Sequence, residues 1–293
     1  MKILVTGANG QIGHCLQQQL GQKNWAFSAF TRAELDITDP QAVSQIVQRL
    51  RPDIIINAAA YTAVDKAEQE QALAYAVNRN GPTNLAHAAK GVNAAIFHIS
   101  TDYVFSGDAT GAYTEDAPTN PQCVYGQSKL AGELAVTAVN DKHIILRTAW
   151  VFGEHGNNFV KTMIRLGKIK DVLNIVADQE GSPTYADDIA KVLLVVAQHY
   201  SEGKPTPWGT YHYSGQPYVS WYGFAREVFT EVEQAGLYVK PVPQLNAITT
   251  AEYPTPAKRP ANSKLDCKKI EQAFGVAPSD WRSALKNISA FVE

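Results

Sequence analysis

The 293-residue chain predicts an α/β fold, with a doubly wound parallel Rossmann-type sheet and a smaller C-terminal substrate-binding lobe. Short apolar runs alternate with helix-length stretches through the first half, and the first such run leads straight into a glycine-rich turn. After about Arg147 the alternation gives way to long helical stretches set among proline-rich loops. Strands that alternate with helices build βαβ units, whose right-handed crossovers place helices on both faces of a parallel sheet.

Ile3 to Val5, Ala26 to Phe30, Ile54 to Ile56, Ala94 to Ile99 and Ile144 to Leu146 read as buried strands, because strands covered on both faces are nearly continuous in apolar residues. Asp39-Pro40 opens a helix with a capping carboxylate followed by proline at the first helical position, and Asn80-Gly81-Pro82 opens another. Ala186 to Tyr200 and Trp221 to Ala235 are the long helices of the second half. These features divide the chain into a dinucleotide-binding domain over residues 1–153 and a mainly substrate-binding lobe over 154–293, with the chain free to cross between them more than once.

Composition narrows the classes of function. An apolar content of 45% fills a core, and a net charge of −2 offers no general attraction for nucleic acid or an anionic membrane surface. The longest apolar stretch, Val192 to Ala197, falls far short of the roughly 20 residues a membrane span needs. Met1-Lys2-Ile3-Leu4-Val5 reads as a first strand rather than a targeting segment. Cys15, Cys123 and Cys267 are too few and too scattered for a disulfide framework or a metal-ligand set, which points to a reducing, cytoplasmic compartment.

The turn Gly7-Ala8-Asn9-Gly10-Gln11-Ile12-Gly13 has glycines three apart rather than the more familiar GxGxxG spacing. It meets the same physical demand: a tight strand-to-helix turn, close approach of backbone to a pyrophosphate, and a helix N-terminus facing the anion. Asn9 is expected to hydrogen-bond within it. At the end of the second strand no acid stands ready for a ribose 2′-hydroxyl; Arg32 is there instead. A guanidinium suits a 2′-phosphate and equally suits open solvent, so NADPH is favoured, with NADH as a second acceptable carrier. Asp36-Ile37, read as following a third short strand, are a candidate adenine contact.

Ser100-Thr101-Asp102-Tyr103 follow a strand ending at Ile99, and Tyr125 and Lys129 begin the next long helix. Residues four apart share a helix face about 6 Å apart, so the phenol and the ammonium stand together. A ketone receiving hydride at carbon needs a proton at oxygen, which Tyr125 supplies while Lys129 stabilises the phenolate left behind. The ammonium also suits the nicotinamide ribose, and Thr101 orients the carbonyl oxygen. Taken singly, each has a blander reading: a helix-start aromatic, a solvated charge, a strand-end hydroxyl.

These residues resemble the dTDP-4-dehydrorhamnose reductases of the extended short-chain dehydrogenase/reductase superfamily. The likeness covers most of the chain: the glycine turn, Asn57 to Glu68, Ser100 to Phe105, the Tyr125/Lys129 pair, Gly156 to Phe159, Asp178 to Thr184 and Pro254 to Pro260. It implies NADPH-dependent reduction of the C4 ketone of dTDP-4-dehydro-L-rhamnose to dTDP-L-rhamnose, by a monomer or homodimer. It further implies a cofactor wall at Ala58, Ala59 and Ala60, and substrate contacts from Asp102, Tyr103, Trp150, Asn158 and Arg259. Some members bind Mg²⁺ between subunits through carboxylates, one just after the glycine turn; here His14-Cys15 replace it, and a hard cation wants oxygen, so no metal is expected. A 4,6-dehydratase is disfavoured, because Asp102 is followed by Tyr103 where such enzymes carry Glu. Another nucleotide-sugar reductase, an epimerase, and a non-catalytic dinucleotide-binding regulatory subunit stay open as alternatives.

Overall fold

A computed structural model describes residues 1–292. The first half contains β1 (Lys2–Thr6), α1 (Gln11–Leu20), β2 (Ala26–Phe30), α2 (Pro40–Leu50), β3 (Ile54–Asn57), α3 (Val64–Ala67), α4 (Gln71–Tyr75), α5 (Gly81–Gly91), β4 (Ala95–Thr101), α6 (Val124–Val139) and β5 (His143–Thr148). The second contains β6 (Val151–Phe152), α7 (Phe159–Ile169), β7 (Val172–Val176), β8 (Glu180–Gly181), β9 (Thr184–Tyr185), α8 (Ala186–Ser201) and β10 (Gly209–His212), followed by β11 (Val219–Ser220), α9 (Trp221–Gln234), β12 (Gln244–Ile248), α10 (Lys268–Phe274) and α11 (Trp281–Leu285).

All five expected strands form, and they join one sheet in the order β2-β1-β3-β4-β5-β10, every neighbouring pair parallel. The runs Ile3-Leu4-Val5 and Ile54-Ile55-Ile56 are wholly buried, which is why they are apolar without alternation. One face of the sheet packs Ile3, Val5, Ile54 and Phe97 against Leu16 of α1 and Ile189 and Leu193 of α8. The other packs Leu4, Ile55 and Ile96 against Val43 of α2, Leu85 of α5 and Val136 of α6. Helices therefore cover both faces.

The sixth strand lies outside the expected five. Gly209-Thr210-Tyr211-His212 carries no apolar run, yet it extends the sheet beside β5, and α8 packs on α1. Segments from beyond residue 153 thus complete the sheet layer. A separate core of Phe152, Val160, Met163, Phe224, Val228 and Trp281 holds α7, α9 and α11 together with the β7–β12 pair, and forms the smaller C-terminal region.

Local signals behave unevenly. Asp39 caps α2 as expected, its carboxylate accepting the N–H groups of Gln41 (2.8 Å) and Ala42 (3.1 Å). Asn80-Gly81-Pro82 stands at the start of α5 as expected, but a wide π turn, Ala76–Asn80, leads from α4 straight into it, so Asn80 is already helical and makes no side-chain cap. β4 runs to Thr101, two residues beyond the expected end.

Candidate active site

Backbone geometry explains the glycine turn. Gly7 has φ +74°, and a Cβ there would meet the Ala58 carbonyl carbon and the Ala59 nitrogen at 2.6 Å. At Gly13 a Cβ would lie 2.1 Å from the Gly7 carbonyl oxygen, so only glycine lets α1 come this close to β1. The turn closes through the Gly10 N–H donating to the Gly7 carbonyl at 2.9 Å; the Asn9 side chain makes no bond within it, contrary to expectation. α1 starts with no side-chain cap and no acidic residue in its first turn, leaving its N–H groups free for an anion.

A cavity of about 250 Å³ opens beside this turn, lined by Gly7, Asn9, Gly10, Arg32, Asp36, Ile37 and Ala58 to Ala60. Leu35, Tyr61 and Val77 also line it and went unread in the sequence. Gln11 and Ile12 do not: Gln11 accepts from Asn158 Nδ2 (3.0 Å), and Ile12 packs on the core. Asp36-Ile37 follow β2, not a third strand as expected, since the third strand is β3. Arg32 faces Asp36 at 3.9 Å with its side chain 72% exposed, so the guanidinium is loosely held and can swing to a phosphate. The Thr38 backbone N–H, then its hydroxyl, hold the Asp36 carboxyl below the usual range.

A single strand, β3, lies between β1 and β4, and two inter-strand spacings place Thr101 roughly 10 Å from the glycine turn along the carboxyl edge of the sheet. Thr101 donates to Asp102 Oδ1 (2.9 Å) and accepts from the Tyr103 N–H (3.3 Å), capping the short turn Asp102–Val104. α6 starts against that turn because residue 126 is glycine: a Cβ there would stand 2.2 Å from the Tyr103 carbonyl oxygen. Its first free N–H, from Val124, donates to Glu68 Oε1 at 2.9 Å. The backbone carbonyl of Tyr125 accepts from Ser128, which in turn accepts from the buried Asn78 (3.0 Å).

Tyr125 and Tyr103 meet edge to face at 5.4 Å. Burial pushes the Tyr125 phenol upward, with the nearby Thr101 hydroxyl opposing. Lys129 is 2% exposed and donates to the Ile99 carbonyl oxygen at 2.6 Å. Burial brings its ammonium down to about 8, with Glu133 opposing. Glu133 itself is clamped by the buried Arg147, two bonds from Nε (2.9 and 3.2 Å) and one from Nη2 (2.6 Å). Asp102 is 4% exposed, and its carboxyl is pushed up to about 6, chiefly by burial.

Arg259 reaches the same place from the C-terminal segment, donating to the Tyr103 hydroxyl (3.1 Å) and pairing with Asp65 (2.5 Å). Asp65 also accepts the Ala257 N–H at 3.2 Å, so it positions the whole Pro254 to Pro260 segment. Trp150 has a left-handed backbone (φ 47°) and lies between the Trp221 ring, 3.5 Å away, and Gly181, where a Cβ would strike the indole. Asn158 caps α7 through the Lys161 N–H (3.1 Å) and donates to Gln11 and to the Gly153 carbonyl (2.7 Å). Its side chain ties the second half to the glycine turn rather than standing free. His14 stacks on His155 at 4.5 Å, and Cys15 is buried.

A family model described as RmlD substrate binding domain matches residues 1–292. The dTDP-4-dehydrorhamnose reductase of Aggregatibacter actinomycetemcomitans is 52% identical over 293 residues, covering 100% of this chain and 99% of that protein. Among solved structures, a dTDP-4-dehydrorhamnose reductase from Clostridium acetobutylicum ATCC 824 shares 44% identity with a TM-score of 0.91, covering 98% of each chain. Another, from Bacillus anthracis str. Ames in complex with NADP, shares 40% identity with a TM-score of 0.90, covering 98% of this chain and 97% of that one. The chain belongs to the dTDP-4-dehydrorhamnose reductase family.

Proposed function

We propose that this protein reduces the C4 ketone of dTDP-4-dehydro-L-rhamnose to dTDP-L-rhamnose with NADPH, Tyr125 giving the proton. What supports the reading is Thr101 at the end of β4 and Tyr125 and Lys129 in the first two turns of α6, at the carboxyl edge of a sheet whose first turn is stripped of side chains for a pyrophosphate. NADPH, when bound, supplies the hydride.

The chain's own groups do the rest. The free N–H groups of α1 and the glycine cradle hold the diphosphate, and Arg32 takes the 2′-phosphate. Thr101 orients the ketone oxygen, and Tyr125 transfers its proton as negative charge grows there. Lys129, anchored to Ile99, keeps two further N–H donors for the ribose and the departing phenolate. Arg259, backed by Asp65, offers a planar fork to the sugar nucleotide's phosphates. Trp150 and Tyr103 provide the apolar walls that exclude water around the deoxysugar.

Among the described residues no helix is long and apolar enough to cross a membrane. The buried free thiols of Cys15, Cys123 and Cys267 support a reducing, cytoplasmic setting, where the enzyme works as a monomer or homodimer. The test is NADPH absorbance with dTDP-4-dehydro-L-rhamnose, repeated with its uridine and guanosine counterparts. Turnover is expected with the thymidine compound, and its absence defeats the assignment.

A further inference from the structure

Two buried oxygens beside the reacting group have no hydrogen-bond partner among the described residues: Asp102 Oδ2 and Ser263 Oγ. Ser263 comes from the segment just after Arg259, anchored by its N–H on the Glu180 carbonyl (2.7 Å), and it approaches the Asp102 carboxyl closely enough to oppose the effect of burial. Oδ1 of the same carboxyl accepts from the Thr101 hydroxyl at 2.9 Å, and that hydroxyl stands near enough to the Tyr125 phenol to oppose the effect of burial on it. The exchangeable protons of Asp102, Thr101 and the phenol therefore stand in sequence.

Its direction depends on one proton. When Asp102 is ionised, Thr101 must donate to the carboxylate, so its oxygen can only accept, and it draws the phenol's proton toward itself and away from the ketone. When Asp102 is protonated the order reverses: Asp102 donates to Thr101, Thr101 donates onward, and the phenol proton is released toward the substrate. We propose that Asp102 is a positioning residue that sets this direction and restores the proton Tyr125 spends in each turnover.

The step balances. Tyr125 loses its O–H proton to the reduced carbonyl oxygen; the Thr101 hydroxyl proton passes to the phenolate; the Asp102 carboxyl proton passes to Thr101. Asp102 is left as a carboxylate and takes a proton from solvent once product leaves. One solvent proton is consumed per ketone, and no electrons move along the path.

The groups facing Asp102 are consistent with a carboxyl that holds its proton. Tyr103 on its own turn and Tyr125 and Cys123 at the start of α6 are neutral, with burial pushing all three upward. Arg259 is engaged by Tyr103 and Asp65, while Lys129 is bonded to Ile99 with Glu133 nearby. An anionic diphosphate bound alongside raises the carboxyl further. Activity is therefore lost as pH rises through the Asp102 titration.

This inference rests on the reductase reading, and the experiment separates the two. The pH dependence of kcat is measured for the wild type, D102N and S263A, together with the infrared carbonyl band of the buried carboxylic acid in the NADP⁺ complex. In the wild type, kcat falls tenfold per pH unit above the midpoint at which that band disappears. D102N lowers the plateau about 10- to 100-fold and abolishes both the band and that limb. S263A moves limb and band together to higher pH, because it removes the hydroxyl that steadies the carboxylate. A merely structural role changes the height of the profile and not its shape. A D102N profile that keeps the wild-type limb, or a wild type with no such band at any pH where it turns over, overturns the proton store and leaves the reductase standing. A wild type that binds NADPH and never reduces the ketone overturns both.

Discussion

At Tyr125 burial pushes the phenol upward and keeps the proton on it across the neutral range, whereas at Lys129 the same burial brings the ammonium down to about 8. One desolvated pocket thus loads the acid and sharpens the cation's response to pH. Tyr125→Phe should lower kcat by about 10² to 10⁴ while leaving NADPH binding nearly unchanged, as steady-state rates and a fluorescence titration will show. For Lys129 the folded value lies below the unfolded one, so between about pH 8 and 10.5 the unfolded chain holds more protons and folding stability rises with pH. Relative to Lys129→Met, the wild type should gain about 1.4 kcal/mol per pH unit across that window, measurable in urea melts at pH 8 and pH 10. A gap that stays constant with pH would show that the ammonium is not destabilised by burial.

Elements bring these groups together through close approaches that only glycine permits. Gly126→Ala should push the first turn of α6 off the Tyr103 carbonyl, which its Cβ would meet at 2.2 Å, lowering turnover without touching the phenol. Gly7→Ala adds left-handed strain of about 1–2 kcal/mol to a clash with the Ala58–Ala59 peptide, and NADPH affinity should fall at least about tenfold. Both are checked by pairing a cofactor titration with kcat: the first variant spares binding, the second does not. Sequence pattern was a good guide at this scale. The unbroken apolar runs announce strands covered on both faces, and a Tyr and a Lys four apart announce a shared helix face. β10 was silent because Gly-Thr-Tyr-His has no such run; its place is decided by pairing with β5 and packing on α10. The Asn80-Gly81-Pro82 signal marks the start of α5 but gives no sign of the π turn, Ala76–Asn80, that leads into it.

Across the whole molecule, the site is closed by chain segments that lie far apart in sequence. Arg259 and Asp65, 194 residues apart, and Asn158 and Gln11, 147 apart, lock the C-terminal region onto the nucleotide side. Such pairings leave no local trace, which is why Asp65 and Ser263 went unread while Arg259 was found by its motif. Arg259→Lys keeps the charge but loses the planar fork to both Asp65 and Tyr103, so KM for the sugar nucleotide should rise about tenfold or more with a smaller change in kcat. The account as a whole stands on net hydride delivery to the sugar. The direct measurement uses NADPH deuterated at the transferring position and follows both nucleotide and sugar by NMR. The prediction is one NADPH consumed per dTDP-4-dehydro-L-rhamnose, with deuterium at C4 of the product. Deuterium left on the nicotinamide, or a changed sugar with no net NADPH consumed, would contradict it.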